Sequence, residues 1–520
     1  MQISMEKILE RMLLLGYLVL IAGPLLALGW VLLTAPATYP EGVALLPIFS
    51  LRKATLLLNS LLLAGSVAIV GTSIALLAAT AAAAQTHLWQ RVFRWFLIAT
   101  VVLPPYVHAL TWTTVFDRLN AVLLSLGLTG YHFHGWVASA WVQVIAFLPL
   151  AVLIAQAGFR RVEEQLIAAA RTQRADLEVL WRVVFPLAKP LALAGSGLLF
   201  LLSLMDYSIP CLFGKNVYTL EVFADFSAHN QPGRTLLVAS PLVGIALLII
   251  IISFAGARSL VVPSQGEDRL WCTGMSLPKW FHFLQTFSIL FLIIAALAPL
   301  IMLWSLVGSL PELIASLTNG APETLFTLTT SLLTGLICLP FALAASRVLT
   351  IPDRRSLALW LITLLVLAIP PSLVGIGQVA LWNRSLFGGL YGTDAMVVLT
   401  NLTRFMPLAA IVLTGQQRRT DQLLVDATRL FQKNTAHGWW KIRLPMLAPG
   451  LLAAACLVMV LSAGELAATL IVIPPGRATL TLRIYNFIHY GSPEAVAGLS
   501  LALVMLVMVI SPLMAFLLER

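Results

Sequence analysis

Long apolar segments alternate with short polar ones along the whole chain. An apolar run of about 20 residues is long enough to cross a bilayer as a helix, so the pattern predicts membrane spans. We place twelve of them, at about 11–34, 55–84, 94–115, 136–157, 191–212, 236–257, 284–308, 325–346, 357–382, 394–416, 450–473 and 493–518. The fold class predicted is an all-α polytopic membrane protein, because helices satisfy their own backbone hydrogen bonds in lipid.

Two polar segments, which we name the first island (160–190) and the second island (418–449), interrupt this pattern and share one plan. Each begins with an arginine pair and continues as a short amphipathic helix. Each ends on two prolines four residues apart, Pro186 with Pro190 and Pro445 with Pro449. A plan repeated at this distance indicates duplication of the chain.

The duplication predicts two halves, residues 1–263 and 284–520, joined by a cytoplasmic linker at 264–283. Each half holds six predicted spans, an even number, so both halves face the same way across the membrane. The sequence therefore predicts two parallel six-helix repeats, because inverted repeats would need an odd number of spans.

Composition supports a membrane location. Hydrophobic residues make up 60% of the chain and charged residues 10%, with a mean hydropathy of +0.94. Soluble proteins carry about a quarter charged residues. The net charge of +10 does not indicate nucleic acid, because the charges flank apolar spans. Most Lys and Arg residues, including six in each island, fall on one side if the N-terminus is cytoplasmic. The positive-inside bias then predicts that both islands and both termini are cytoplasmic.

The islands resemble the cytoplasmic EAA loop of ABC-importer permeases. The matching residues of the first island are Ala168, Ala169, Ala170, Arg171 and Arg174, followed by Phe185 and Pro186. Those of the second are Asp426, Ala427, Thr428 and Arg429, followed by Leu444 and Pro445. Where the family motif has Glu, this chain has Ala168 in the first island and Asp426 in the second. Where the motif has Gly, the first island has Arg174. AIPPSLVGIGQVALWNR (368–384) and residues 465–491 are most similar to fused permeases of the iron(III) group.

The resemblance implies a type I ABC-importer permease in a bacterial inner membrane. Its partners would be two copies of a cytoplasmic ATPase, which grip the islands, and a periplasmic or surface-tethered binding protein. Closure of the ATPases on ATP would move both island helices and alternate access to a central pathway. The residues expected to form the apolar faces are Leu166, Ile167 and Ala170, and Leu423, Leu424 and Ala427. Arg171 and Arg429 are expected to pair with acids of the ATPase. The plainer alternative is that the islands are ordinary basic loops.

The cargo implied by the resemblance is iron(III), and thiamine, phosphonate and polyamine stay open. A rival from another class is an ion-coupled secondary transporter with parallel repeats, which would need no ATPase. A second rival is a membrane scaffold or channel without energy coupling, which would not require two matched docking helices.

Two lone acids, Asp206 and Glu465, each follow the first proline of an island pair by twenty residues. A carboxylate in lipid is costly, so each is a candidate for the translocation pathway or its gate. The alternative is a hydrated acid that caps a turn before Pro210 or Pro474. On the first interpretation, neutralising both acids should reduce transport and leave ATPase docking intact.

Other chemistry is not indicated. The chain has no phosphate-binding G-x-x-x-x-G-K-[ST] motif, so we expect neither ATP binding nor enzyme activity from it alone. His132 and His134 are suitable metal ligands, but no third ligand is near in sequence, and the four cysteines form no CxxC pair. We therefore expect no metal centre, disulfide or cofactor. The first apolar run is too long for a cleavable signal peptide.

Overall fold

The computed structural model describes residues 2–38, 50–85, 87–101, 103–130, 133–260, 275–384, 389–420, 423, 435–491 and 493–519. All regular elements within these residues are helices. Those of the N-terminal half are α1 (Gln2–Thr38), α2 (Leu51–Ala83), α3 (His87–Val101), α4 (Pro105–Ser125), α5 (Gly135–Phe159), α6 (Glu164–Arg171), α7 (Asp176–Val179), α8 (Phe185–Met205), α9 (Ser208–Leu212), α10 (Tyr218–His229) and α11 (Pro232–Leu260).

The helices of the C-terminal half follow in a similar but not identical order. Its elements are α12 (Lys279–Val307), α13 (Leu310–Asn319), α14 (Ala321–Thr350), α15 (Arg354–Leu367), α16 (Pro371–Trp382), α17 (Ala395–Arg419), α18 (Thr435–Gly438), α19 (Leu444–Ala463), α20 (Thr469–Val472), α21 (Leu480–Tyr490) and α22 (Pro493–Glu519).

Ten helices of the described residues are long and apolar enough to cross a membrane, and the bent pair α15–α16 makes an eleventh candidate. The chain is therefore a multi-pass membrane protein.

The predicted third span, 94–115, is divided between α3 and α4, and the predicted ninth span, 357–382, is divided between α15 and α16 at a bend of 105°. Pro105 and Pro371 begin the second helix of each pair. Proline fits the first turn of a helix but disrupts an interior, which explains both breaks.

The predicted fifth and eleventh spans are too long at their C-terminal ends. Helix α8 ends at Met205 and α19 at Ala463, so Asp206 and Glu465 follow the helices and do not lie within them. Hydropathy alone did not detect these ends, because the residues beyond each acid are again apolar.

A π-helical turn precedes each of these two helices, at Leu180–Val184 before α8 and at Trp439–Arg443 before α19. Pro186 and Pro445 lie in the first turn that follows. A proline lacks the N–H for an ordinary helical hydrogen bond, and its ring crowds the carbonyl four residues earlier. The wider π turn accommodates this conflict without ending the helix.

The two halves are interlocked through their first long helices. In the N-terminal half α2, α5 and α8 pack together, and in the C-terminal half α14, α17 and α19 do so. Helix α1, however, packs against α14, α16 and α17, whereas α12 packs against α2 and α4. The Tyr17 hydroxyl lies 3.0 Å from Thr363 Oγ1, and Gln285 Nε2 donates to Thr80 Oγ1 at 3.1 Å. Each half thus contributes a helix to the packing of the other.

Candidate functional site

The helix of the first island, α6, is anchored on one side and open on the other. Ile167 is 2% exposed and packs in a cluster with Phe159, Leu180 and Phe281, and Ala170 packs against the same cluster. Leu166 is 48% exposed, and Ala169 is also exposed. The prediction that Leu166, Ile167 and Ala170 share one apolar face is therefore wrong. Two of them hold the helix to the membrane domain, and Leu166 and Ala169 form the outer side.

Three arginines of the first island have acidic partners within the chain. Arg171 Nε donates to Asp176 Oδ1 at 2.8 Å, and Asp176 also accepts from the Ser276 backbone N–H. Arg174 and Arg182 both pair with Glu178. Exposed pairs of this kind contribute about 0–1 kcal/mol each, so they orient the side chains and leave them exchangeable for an outside acid.

Most of the second island's predicted contact residues, namely Leu424, Asp426, Ala427, Thr428 and Arg429, lie outside the described residues. Leu423 is described and is 77% exposed. The island ends like the first, because Leu444 and Pro445 directly follow the π turn at Trp439–Arg443. Both Pro186 and Pro445 are exposed, so they belong to the junction between island and membrane helix.

Asp206 caps the turn that follows α8. Its Oδ1 accepts from the Ser208 backbone N–H at 3.0 Å and from Ser208 Oγ at 2.6 Å. Its Oδ2 accepts from Gln143 Nε2 of α5 at 3.0 Å. All these donors are neutral. The turn-capping interpretation is thus confirmed in its geometry, and the acid is also held across the helix pair α5–α8.

Glu465 occupies the corresponding place after α19 but has a different environment. Its side chain is 7% exposed, forms an ion pair with Arg404 of α17, and accepts from the Ala468 backbone N–H at 2.8 Å. The Arg404 guanidinium also lies over the Phe405 ring, 5.0 Å from its centroid. A buried carboxylate requires such a partner, since desolvation of an unpaired charge is costly.

A serine–amide contact lies three residues before each acid, and sequence reasoning missed it. Ser203 Oγ donates to Gln143 Oε1 at 2.5 Å, and Asn401 Nδ2 donates to Ser462 Oγ at 2.6 Å. The signal was present as the shared pattern S-x-x-acid in 203–206 and 462–465. The partners on α5 and α17 are some sixty residues away in sequence, so only the packed helices reveal them.

Equivalent contacts also fix α10 and α21, which begin with the segments YTLEVF (218–223) and LTLRIY (480–485). The Tyr218 backbone N–H donates to Ser60 Oγ and the Leu480 N–H to Thr327 Oγ1, both at 2.8 Å. By this contact, Thr327 of α14 corresponds to Ser60 of α2. Thr219 and Thr481 donate to the carbonyls of Leu204 and Glu465, so each helix is tied to an acid-bearing turn.

The described residues contain no group of three His, Cys, Asp or Glu side chains that could hold a metal ion. His134 is exposed, and His132 lies outside the described residues. Cys338 and Cys456 are buried as free thiols, whereas Cys211 is a free, exposed thiol.

The long apolar helices of the described residues are those of a multi-pass membrane protein. Residues 71–265 match the family described as the inner membrane component of binding-protein-dependent transport systems. The match covers most of the N-terminal half of the chain.

Three curated relatives extend the similarity across both halves. Ferric transport system permease protein FbpB of Actinobacillus pleuropneumoniae is 25% identical over 474 residues, and putative permease FbpB 1 of Haemophilus influenzae is 27% identical over 452. These alignments cover 83% and 76% of this chain, which spans 66% of the length of each relative. The Fe(3+)-transport system permease protein FbpB 2 of Haemophilus influenzae is 22% identical, with 91% of each chain covered.

Proposed function

We propose that this chain is the transmembrane subunit of an ATP-driven ABC importer that takes its cargo from an extracytoplasmic binding protein. The observation that carries the proposal is that α6 packs, through Ile167, against the continuous helix Asp176–Met205, which runs from α7 through a π turn into α8 and is followed by Asp206. Helix α8 has 21 residues and is about 30 Å long, so it reaches from the island to the far side of the membrane. A force applied at α6 therefore moves the acid-bearing turn.

The arrangement we infer is two parallel repeats with both islands and both termini in the cytoplasm of a bacterial inner membrane. Counting the broken pairs α3–α4 and α15–α16 as one crossing each would bring the ten unbroken candidates to twelve. The equivalent contacts around Asp206 and Glu465 support this repeat. An even number of crossings in each half then puts both islands on one side, where a pair of ATPases can grip them.

We propose that Leu166 and Ala169, with Leu423, Asp426, Ala427 and Arg429 of the second island, meet the ATPase. Ala170 lies on the packed side of α6 and helps to hold this helix in place. Arg171 and Arg174 lie at the rim, where acids of the ATPase would compete with Asp176 and Glu178 for them. Pro186 and Pro445 act at the hinge between each island and its membrane helix.

Iron(III) is the cargo that the relatives' names favour, since three relatives aligned over most of this chain are named as ferric permeases. Thiamine, phosphonate and polyamine are the alternatives to be tested beside it. An ion-coupled secondary transporter is less well supported, because the best-defined surface feature of the chain is a docking helix and not a membrane-buried ion relay.

Co-purification with the ATPase tests this proposal. The tagged wild-type chain should retain the cognate ATPase after detergent extraction, and its vesicles should import radiolabelled iron(III) only with ATP and the binding protein. Ala169→Glu together with Ala427→Glu should abolish ATPase retention and uptake. Ser240→Ala, a change at an exposed position of α11, is the matched control. Uptake that persists without an ATPase would favour the secondary transporter.

A further inference from the structure

A groove of about 510 Å³ lies between α1, α14 and α17, where the first helix of the chain packs against the C-terminal half. Gly16 of α1 lies against the ring of Phe341, one of the groove's lining residues. The described residues that line the groove are apolar except for Asp394, Thr329 and Thr330. Both threonine hydroxyls donate to carbonyls of α14 itself, so the walls offer an occupant mainly apolar contacts.

The groove is as deep as one leaflet of the bilayer. Its wall on α14 extends from Phe326 to Phe341, a helical rise of about 22 Å, whereas one leaflet of hydrocarbon is about 15 Å thick. Leu333 and Ile337 on this wall are 49% and 40% exposed. Apolar side chains exposed on a membrane helix face lipid tails, which are as apolar as leucine. The occupant that the walls favour is therefore an acyl chain.

An exposed ion pair lies at the mouth of the groove. Arg477 Nη2 donates to Asp394 Oδ2 at 3.1 Å, and the Arg477 guanidinium lies over the ring of Phe326, 5.5 Å from its centroid. Asp394 and Phe326 both line the groove. The side chains of Arg477 and Asp394 are 57% and 47% exposed, so both charges are accessible to a lipid headgroup. A guanidinium carries five N–H donors, and the contact with Asp394 uses one of them.

These paired charges fit a zwitterionic headgroup that carries an ammonium group. The phosphate of phosphatidylethanolamine can accept from Arg477, while its ammonium group donates to Asp394. Phosphatidylglycerol would satisfy Arg477 but would place its negative charge beside the Asp394 carboxylate, where like charges repel. Phosphatidylcholine has no N–H to donate to that carboxylate. Charge complementarity therefore selects phosphatidylethanolamine among these three lipids.

We propose that the groove binds one molecule of phosphatidylethanolamine, with an acyl chain between α1, α14 and α17 and the headgroup between Arg477 and Asp394. Leu20 of α1 lines the groove, and its carbonyl accepts from Thr403 Oγ1 of α17 at 2.6 Å. The lipid therefore lies against the joint through which the N-terminal half holds the C-terminal half. In the topology proposed above, the N-terminal end of α14 faces away from the islands, so the lipid belongs to the outer leaflet. Only this choice of leaflet rests on the proposed function.

Native mass spectrometry of the purified full chain tests the site. The chain is stripped of lipid in detergent and mixed with equal amounts of phosphatidylethanolamine, phosphatidylglycerol and phosphatidylcholine that have identical acyl chains. We expect the wild type to retain one phosphatidylethanolamine about tenfold more strongly than either other lipid, the difference that one hydrogen bond to a charged group supports. This lipid should also raise the thermal midpoint of the wild type, because it binds the folded state.

Three variants separate the headgroup contacts from the groove. Arg477→Gln should lower retention of phosphatidylethanolamine about tenfold, and Asp394→Asn should remove its preference over phosphatidylglycerol. Leu333→Trp fills the groove and should lower retention of all three lipids. Arg52→Gln and Leu336→Trp are the matched controls and should retain lipid as the wild type does. Arg52 is an exposed, ion-paired arginine of the N-terminal half, and Leu336 is an exposed leucine of α14 outside the lining.

Thermal midpoints measured without added lipid distinguish lost binding from lost folding. If Leu333→Trp lowers that midpoint, Arg477→Gln at its exposed position decides the outcome. Lipid retention that Arg477→Gln leaves unchanged would overturn the site, and so would a wild type that retains phosphatidylglycerol or phosphatidylcholine as strongly as phosphatidylethanolamine. These measurements do not require transport. A chain that retains the lipid but imports nothing would overturn the importer proposal and leave the lipid site standing.

Discussion

Two acids that look equivalent in sequence differ in what holds them. Glu465 is buried and paired with the Arg404 guanidinium, whereas Asp206 is half-buried and held by neutral groups. Removing one partner of a buried ion pair leaves the other charge unpaired, which typically costs about 3–5 kcal/mol. Losing a hydrogen bond to a partly exposed carboxylate typically costs about 1.5–3 kcal/mol. Neutralising the two acids should therefore have unequal effects on stability.

We expect Glu465→Gln to lower the thermal midpoint of the purified protein more than Asp206→Asn does. Adding Arg404→Met to Glu465→Gln should recover part of the loss, because it removes the unpaired guanidinium. Thermal unfolding of the three variants and the wild type in one lipid mixture gives the comparison. Equal midpoints for Glu465→Gln and Asp206→Asn would show that the ion pair contributes no stability. Reduced transport with normal ATPase retention in both would support their place in the pathway.

Helix α6 is eight residues long and has two distinct sides. Ile167 points into the cluster with Phe159 and Phe281, and Leu166 points away from it. If α6 docks to the ATPase as proposed, the docking residue Leu166 and the anchoring residue Ile167 are neighbours in sequence. A substitution at Leu166 should therefore weaken the ATPase contact, whereas a substitution at Ile167 should disturb only the packing of α6 against the membrane helices.

Leu166→Ala and Ile167→Ala form a matched pair that tests this division. Ile167→Ala should cost about 2–5 kcal/mol of stability, because it leaves a cavity in a packed cluster. Leu166→Ala should change stability by less than about 0.5 kcal/mol, since the side chain is on the surface, yet it should weaken ATPase retention. Thermal unfolding and quantitative pull-down on both variants measure the two effects. The hypothesis fails if Leu166→Ala destabilises the chain and retains the ATPase fully.

Sequence patterns predicted the helices well and their tertiary partners poorly. The twelve apolar runs correspond to helices, and the Pro-Pro pairs mark the two breaks between α3 and α4 and between α15 and α16. The partner of Glu465 was not predicted, because Arg404 lies in another span and the pairing depends on how α17 packs against the turn after α19. The face of α6 was assigned wrongly for a similar reason. In a helix of two turns, several residues are apolar, and only the contact with Phe281 decides which of them is buried.

At the scale of the whole molecule, the crossed packing of α1 and α12 limits how the halves move. Each of these helices is covalently part of one half and packs against helices of the other. Helix α1 also packs against α11 of its own half, so the joint between the halves is distributed over several helix contacts. One close backbone approach is at Gly377 of α16, where a Cβ would lie 2.8 Å from the Pro24 carbonyl oxygen of α1.

Gly377→Ala should therefore weaken the joint. A Cβ at that distance from a backbone oxygen forces α1 away from α16, and such overpacking typically costs about 1–3 kcal/mol. Gly65→Ala is the control, because a Cβ there meets no atom within 4 Å and alanine favours a helix interior by up to about 1 kcal/mol. Thermal midpoints should fall for Gly377→Ala and be unchanged or higher for Gly65→Ala. A fall of equal size in both would mean that the glycines matter for helix flexibility and not for the approach of α1.

A chain divided between residues 263 and 264 tests whether this interlocking suffices to join the halves without the peptide link. We expect fragments 1–263 and 264–520 to co-purify after co-expression, because α1 and α12 each bury apolar side chains against the other fragment. Apolar burial stabilises by about 25 cal/mol per Å², so two helices crossing between fragments supply a large joint interface.

Removing residues 2–38 from the first fragment should destabilise the second, which loses the contacts of Tyr17 and Leu20 with α15 and α17. Pull-down through a tag on one fragment, followed by thermal unfolding of the recovered complex, measures both effects. Fragments that purify apart, or a second fragment whose stability is the same with and without α1, would mean that each half packs independently and that the halves move as separate bodies.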